Sequence, residues 1–129
     1  MTVPNVDRLL QRVRRRLDRV PPERLADELS AGAVIVDTRP VEQRRRDGEL
    51  PGAVVIDRNV LEWRLDPTCP HRLQSIHVDP DSRIIVVCNE GYSSSLAAAT
   101  LQLLGLSRAT DLIDGYQGWR AYREDQPTS

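Results

Sequence analysis

Four apolar, β-branched residues in a row, Ile84-Ile85-Val86-Val87, run straight into Cys88. A continuous apolar run without alternation suits a parallel strand covered on both faces. The strand is predicted over residues 83–87, and the stretch behind it, Asn89-Glu90-Gly91-Tyr92, is polar and tight. Residues 93–104, SSSLAAATLQLL, then read as a helix with serines available to cap it and Gly105 past its end. A strand buried on both faces needs helices on both, so this one segment commits the chain to an α/β architecture.

The rest of the sequence repeats that grammar. Residues 33–36, 53–56 and 109–113 read as further short strands. Residues 23–30, 41–47, 59–65 and 117–123 carry helical patterns, punctuated by Pro21-Pro22, Pro40 and Gly48. Residues 66–82, with Pro67, Pro70 and Pro80, form the irregular stretch. The expected fold is a central, mostly parallel sheet of four to five strands flanked by helices on both faces. Residues 21–129 are expected to build that domain, and residues 1–20 an N-terminal Arg-rich amphipathic helix. In that helix Val6, Leu9, Leu10, Val13, Leu17 and Val20 recur at spacings of three and four, which puts the arginines on the other face. The apolar stripe argues for packing, within the chain or across a homodimer.

A length of 129 residues suffices for one core without disulfide or metal staples. Two cysteines, Cys69 and Cys88, are too few for a disulfide framework. The N-terminus reaches no apolar run that could serve a signal peptide, and no stretch approaches the roughly 20 apolar residues of a membrane span. A cytoplasmic protein with no membrane partner is expected. The net charge of −1 leaves no global basic field for a nucleic-acid partner, although residues 1–20 hold six Arg against two Asp. All 18 basic residues are Arg, a bias read as genomic.

The chemistry is sought at Cys88. Ligands of open α/β sheets bind beyond the carboxyl ends of the strands, where Cys88 stands. A short loop between strand and helix can turn successive N–H groups inward as an anion-binding nest, and the helix N-terminus adds its positive dipole end. A thiolate held there has a lowered pKa and is the nucleophile. Gly91 supplies a backbone conformation that other residues resist, and Ser93 and Ser94 can cap the helix or donate hydroxyls to a bound anion. The plainer alternative, a small buried cysteine at a strand end, does not require the polar run that follows.

Cys88-Asn89-Glu90-Gly91-Tyr92-Ser93-Ser94 resembles the active-site loop of rhodanese-like domains, Cys-x-x-Gly-x-[Arg/Ser/Thr]. Val36-Asp37-Thr38-Arg39 resembles the family's Val-Asp-x-Arg, and Gly48-Glu49-Leu50-Pro51-Gly52-Ala53 its Gly-His-Ile-Pro-Gly-Ala turn. Gly105-Leu106 and Asp114-Gly115 through Gly118-Trp119 are similar to its closing pattern. The resemblance covers most of residues 20–123 and leaves out the Arg-rich helix. It implies a sulfurtransferase. Cys88 would take a sulfane sulfur from a small donor such as thiosulfate, or from a persulfide-carrying protein, and pass it to a thiol acceptor. No metal and no organic cofactor are implied, and the loop amides would hold the transferred sulfur. The competing expectation is a rhodanese-fold binding or regulatory module without turnover. A phosphatase of the Cys-x5-Arg type ranks below both, because Ser94 stands where that Arg would fall.

Two loop positions depart from the family pattern. Ser93 replaces the Arg of many members, which weakens anion clamping without removing the mechanism. Glu90 places a carboxylate near the sulfur. At about 6 Å and an effective dielectric near 20 it would disfavour the thiolate by about 3 kcal/mol before solvent screening, and by far less if it points into water. Weak use of thiosulfate relative to a persulfide is therefore expected. Arg39 and Arg58, each close behind a strand, are expected at the site, with Asp37 as a structural partner for such an Arg. Arg44, Arg45 and Arg46 read as a solvated helix face. Cys69, His71 and His77 match no strong zinc spacing.

Overall fold

In the computed structural model, which describes residues 2–127, four strands form one parallel sheet. In chain order the elements are α1 (Asn5–Arg14), α2 (Leu25–Ser30), β1 (Val34–Asp37), α3 (Val41–Asp47), β2 (Val54–Val55), α4 (Leu61–Leu65), β3 (Ile84–Val87), α5 (Ser93–Leu103), β4 (Ala109–Asp111) and α6 (Gly115–Glu124). Single 3-10 turns, Pro22–Arg24 and Arg58–Val60, lead into α2 and α4. The spatial order is β2-β1-β3-β4. Val34 to Asp37 of β1 stand beside Ile84 to Val87 of β3.

Because side chains alternate along a strand, β3 feeds two cores. Ile84 and Val86 pack with Leu61 and Leu65 of α4 and with Ala97, Ala98 and Leu101 of α5. Ile85 and Val87 face the other way, against Leu25 of α2 and Tyr116 of α6. All four side chains are fully buried, which is why the sequence shows a run rather than an alternation.

The N-terminal segment departs from expectation. Helix α1 stops at Arg14, where the apolar spacing predicted a helix through residue 20. Val20 is instead extended and bridges in parallel to Leu112, its N–H donating to Asp111 O and its carbonyl accepting from Ile113 N. Two forces explain this. A residue before proline avoids the helical region, and Pro21 follows Val20. The outer edge of β4 also presents backbone groups that an extended chain can satisfy. Leu10, Leu17 and Val20 are buried, a gross contribution of about 1.5–3 kcal/mol each, and the segment is docked along α5 and β4. Val6 and Leu9 of the same stripe stay exposed. No helix among the described residues is long and apolar enough to cross a membrane.

Candidate active site

The chain winds from β1 through α3 to β2 on one side of the sheet, and from β3 through α5 to β4 on the other. The carboxyl ends of β1 and β3 therefore flank a topological switch point, where a parallel sheet opens a crevice. A cleft of about 370 Å³ lies there, lined by Thr38, Arg39, Pro40, Gln43, Arg58, Cys88, Asn89, Glu90, Tyr92 and Ser93.

Cys88 sits at its floor, 7% exposed. The Gly91 N–H donates to its Sγ at 3.1 Å and the Ser94 N–H at 3.4 Å. The second donor belongs to the first turn of α5, so the sulfur takes up a helix N–H that has no intrahelical partner. The serines do not cap this helix by side chain, contrary to one of the expected roles. Burial pushes the Cys88 thiol up. Against it act the hydroxyls of Ser94 and Ser93 and the amides of Ser94 and Gly91, and the balance leaves the thiol below its ordinary value. The Ser94 hydroxyl has one proton, and its 2.7 Å bond to Asp111 competes with the sulfur for it. The two amides and Ser93 are thus the dependable donors.

Two glycines make the loop close. Gly91 has φ +88°, and a Cβ there would lie 2.8 Å from the Asp114 backbone N. Gly115, with φ +60°, lets the start of α6 approach so tightly that a Cβ would meet Cys88 O at 2.5 Å. From that approach the amides of Tyr116 and Gln117 donate to Cys88 O and Asn89 O at 2.8 and 3.1 Å. The Gln117 side chain also reaches Asn89 Oδ1 at 3.0 Å. The helix predicted over residues 117–123 begins earlier, at Gly115, because its first turn is occupied in holding the loop.

The remaining expected residues divide between cleft and interior. Asn89, Glu90, Tyr92 and Ser93 reach the cleft, whereas Gly91 and Ser94 are buried behind it. Glu90 is exposed, so water screens its charge from the sulfur. Arg39 is buried at the cleft wall, paired with Asp37 at 2.8 Å and stacked 3.6 Å over the Tyr116 ring. Its Nη1 has no hydrogen-bond partner among the described residues. Arg58 lines the cleft and pairs with Glu62 at 2.9 Å. Arg45 and Arg46 lie on the exposed face of α3, Arg46 pairing with Asp47, whereas Arg44 departs from the expected solvated face: it is half-buried, pairs with Glu49 and donates to Arg39 O at 3.3 Å. Among the described residues no three His, Cys, Asp or Glu side chains converge as metal ligands.

Three residues behind the loop escaped the sequence reading. Asp111, fully buried at the end of β4, accepts from Ser94 Oγ at 2.7 Å, Ser95 Oγ at 2.8 Å and Arg19 Nε at 2.8 Å. Arg14 donates to Ser95 Oγ at 3.0 Å and to Gly91 O at 2.8 Å, and Arg19 donates to Gly91 O at 3.1 Å. These two arginines were expected on the solvent face of a helix. A carboxylate inside a predicted strand was the available signal, because a charge there must be buried with a partner.

The sequence matches the family model described as Rhodanese-like domain over residues 21–122. It is 31% identical over 108 residues to thiosulfate sulfurtransferase GlpE of Pseudomonas savastanoi pv. phaseolicola, covering 84% of this chain and 92% of that protein. Among solved structures, a Rhodopseudomonas palustris protein described as of unknown function and as a possible tyrosine phosphatase superposes with TM-score 0.81 at 25% identity. That match covers 100% of this chain and 97% of the other. The human single-domain sulfurtransferase TSTD1 superposes with TM-score 0.66 at 23% identity, covering 84% of this chain and 97% of its own.

Proposed function

As this chain belongs to the rhodanese-like domain family, we propose that it is a sulfurtransferase that carries a sulfane sulfur on Cys88. The observation that supports the site is the pair of main-chain amides, Gly91 and Ser94, aimed at one buried sulfur. Donors to the charged form favour thiolate over thiol, and the thiolate is the attacking species.

The reaction proceeds in two displacements. The Cys88 thiolate attacks the outer sulfur of thiosulfate, a sulfur–sulfur bond forms, and sulfite leaves with the electron pair of the bond that breaks. With a persulfide donor the leaving group is a thiolate. Cys88 then carries a persulfide whose terminal sulfur is anionic. An acceptor thiolate attacks that sulfur, leaves as a persulfide, and returns Cys88 to thiolate. The loop amides stabilise negative charge at both stages, a role like that of an oxyanion hole. Asn89 through Ser94 form the holding loop. Arg39 shapes the cleft wall with Asp37, and Arg58, its charge paired by Glu62, offers guanidinium N–H groups at the rim. The cycle consumes no redox partner, but it needs Cys88 reduced, which suits the cytoplasm.

A phosphatase reading lacks a guanidinium inside the loop. Arg14 and Arg19 meet the loop on the carbonyl side of Gly91 and not in the cleft, and the cleft arginines Arg39 and Arg58 are paired with Asp37 and Glu62. A binding module without turnover would leave the converging amides without a task. Incubation with thiosulfate or glutathione persulfide, followed by intact mass, tests the proposal. The expected product is wild-type protein heavier by one sulfur atom and an unchanged Cys88→Ser variant. Wild-type protein that takes up no sulfur from either donor overturns it.

A further inference from the structure

The residues that match the rhodanese-like family begin at 21, yet two side chains ahead of that point grip the sulfur loop. Arg14 and Arg19 both donate to the carbonyl of Gly91, at 2.8 and 3.1 Å. Glycine is the residue whose peptide turns over most freely, so this is the loop position that most needs holding. In a planar trans peptide C=O and N–H point in opposite directions. Drawing the Gly91 carbonyl towards the arginines therefore turns the Tyr92 N–H away from them, to the side of the cleft that Tyr92 lines. A sulfur carried on Cys88 would extend there.

The same arginines act on the second amide by another route. Arg19 pairs with Asp111 at 2.8 Å, and Asp111 takes the hydroxyl protons of both Ser94 and Ser95. Arg14 donates to the Ser95 oxygen from the other side. The first turn of α5 is thereby tied down at two adjacent residues, one of which offers its N–H to Cys88 Sγ. Arg19 is neutralised by Asp111, whereas Arg14 meets only neutral acceptors among the described residues, so its charge remains behind the loop.

We propose that Arg14 and Arg19 are positioning residues for sulfur transfer, and that the N-terminal segment is a working part of the active site. They do not touch the reacting sulfur. They fix the Gly91–Tyr92 peptide and the α5 first turn so that the amides around Cys88 converge on it. This rests on the reading of Cys88 as the sulfur carrier.

Arg14 gives the cleaner test, because removing it leaves no buried carboxylate unpaired. Iodoacetamide alkylation of Cys88 across pH and sulfur loading from thiosulfate would be measured in wild type, Arg14→Met and Arg14→Lys, with thermal melting alongside. The other charged groups facing Cys88, namely Glu90, Arg39, Arg58 and the Arg19–Asp111 pair, are unchanged in these variants. The expected result for Arg14→Met is an alkylation midpoint at higher pH and loading slower by about ten- to a hundredfold, the scale of a misplaced reacting group. Its melting temperature should stay within a few degrees of wild type. Arg14→Lys, which keeps the charge and a donor, should recover part of the loss. An Arg14→Met protein with wild-type midpoint and loading overturns the proposal, as does a loading defect that tracks lost melting temperature with no shift in midpoint. If neither protein takes up sulfur but Arg14→Met still shifts the midpoint, the positioning role stands and the sulfur-transfer reading fails. Arg19→Lys, which preserves the pair with Asp111, serves as the second variant and should fall between wild type and Arg14→Met.

Discussion

Two buried carboxylates end the strands on either side of the one that leads to Cys88, and the chain neutralises them in opposite ways. Asp37 closes β1 beside Val87, and Asp111 closes β4 beside Val86. Asp37 is paired by Arg39, two residues on, and no other group among the described residues donates to its carboxylate. Asp111 is paired by Arg19, which lies 92 residues away in sequence. The local pair is dry, with side-chain exposures of 0% and 1%, and it braces the cleft wall through Tyr116 and Gly48 O. The distant pair is open to water on the Arg19 side, at 17%, and it connects to the serines and the carbonyl that shape the sulfur loop. The local pair draws both its charges from one turn and stiffens the cleft wall. The distant one couples two parts of the molecule, here the N-terminal segment and the nucleophile.

The largest effect should come from Arg39→Met. It strands the Asp37 carboxylate in a fully buried site, at a cost of about 3–5 kcal/mol in urea unfolding. Arg19→Met should cost about 2–3 kcal/mol, because the two serine hydroxyls still donate to Asp111 and the part-exposed Arg19 side chain leaves a path by which water can enter. The comparison breaks if Arg19→Met costs as much as Arg39→Met. It breaks also if Arg39→Met disturbs the pH midpoint of Cys88 alkylation more than Arg19→Met does.

Neighbouring serines sharpen the same division. Ser94 belongs to the Asp111 side and Ser93 to the cleft. Ser94→Ala should lose about 1 kcal/mol of stability and Ser93→Ala less than about 0.5 kcal/mol. Ser93→Ala removes a donor to the thiolate, and Ser94→Ala loosens the first turn of α5 that aims the Ser94 amide at it, so both should move the alkylation midpoint to higher pH. The sign follows from the lowered thiol, since weakening support for the charged form lets the proton return at a higher pH. A midpoint that falls in either variant would contradict it. The smallest effect belongs to Glu90→Gln at the exposed mouth. Thiosulfate loading should rise about two- to fivefold, the range of a screened surface charge, with persulfide loading less affected. Unchanged thiosulfate loading would remove Glu90 from the account of donor preference.

Much of this was visible in the residues, for a reason that can be stated. Ile84 to Val87 read as a buried parallel strand because both of its faces are covered, and Cys88 to Ser94 read as a holding loop because polar residues and a glycine must follow where a strand turns at once into a helix. Asp37 and Arg39 were readable as partners because they are two residues apart. Helix α1 was overrun by six residues because its spacing looked helical to Val20, and only the free edge of β4 together with Pro21 explains why Val20 is extended. Asp111 was passed over as part of a short strand, and Arg14 and Arg19 as a solvated face. Amphipathic spacing separates apolar from polar positions, but it does not say which polar positions find a buried acceptor.

The order of strands and helices, the nucleophile, and the glycine that lets its loop close were written locally, in propensity and in neighbours a few residues apart. The grip of the N-terminal arginines on Gly91 and Asp111 was decided only when α1 and residue 20 settled against α5 and β4. It joins groups more than 70 residues apart, and no short-range pattern encodes so distant a meeting.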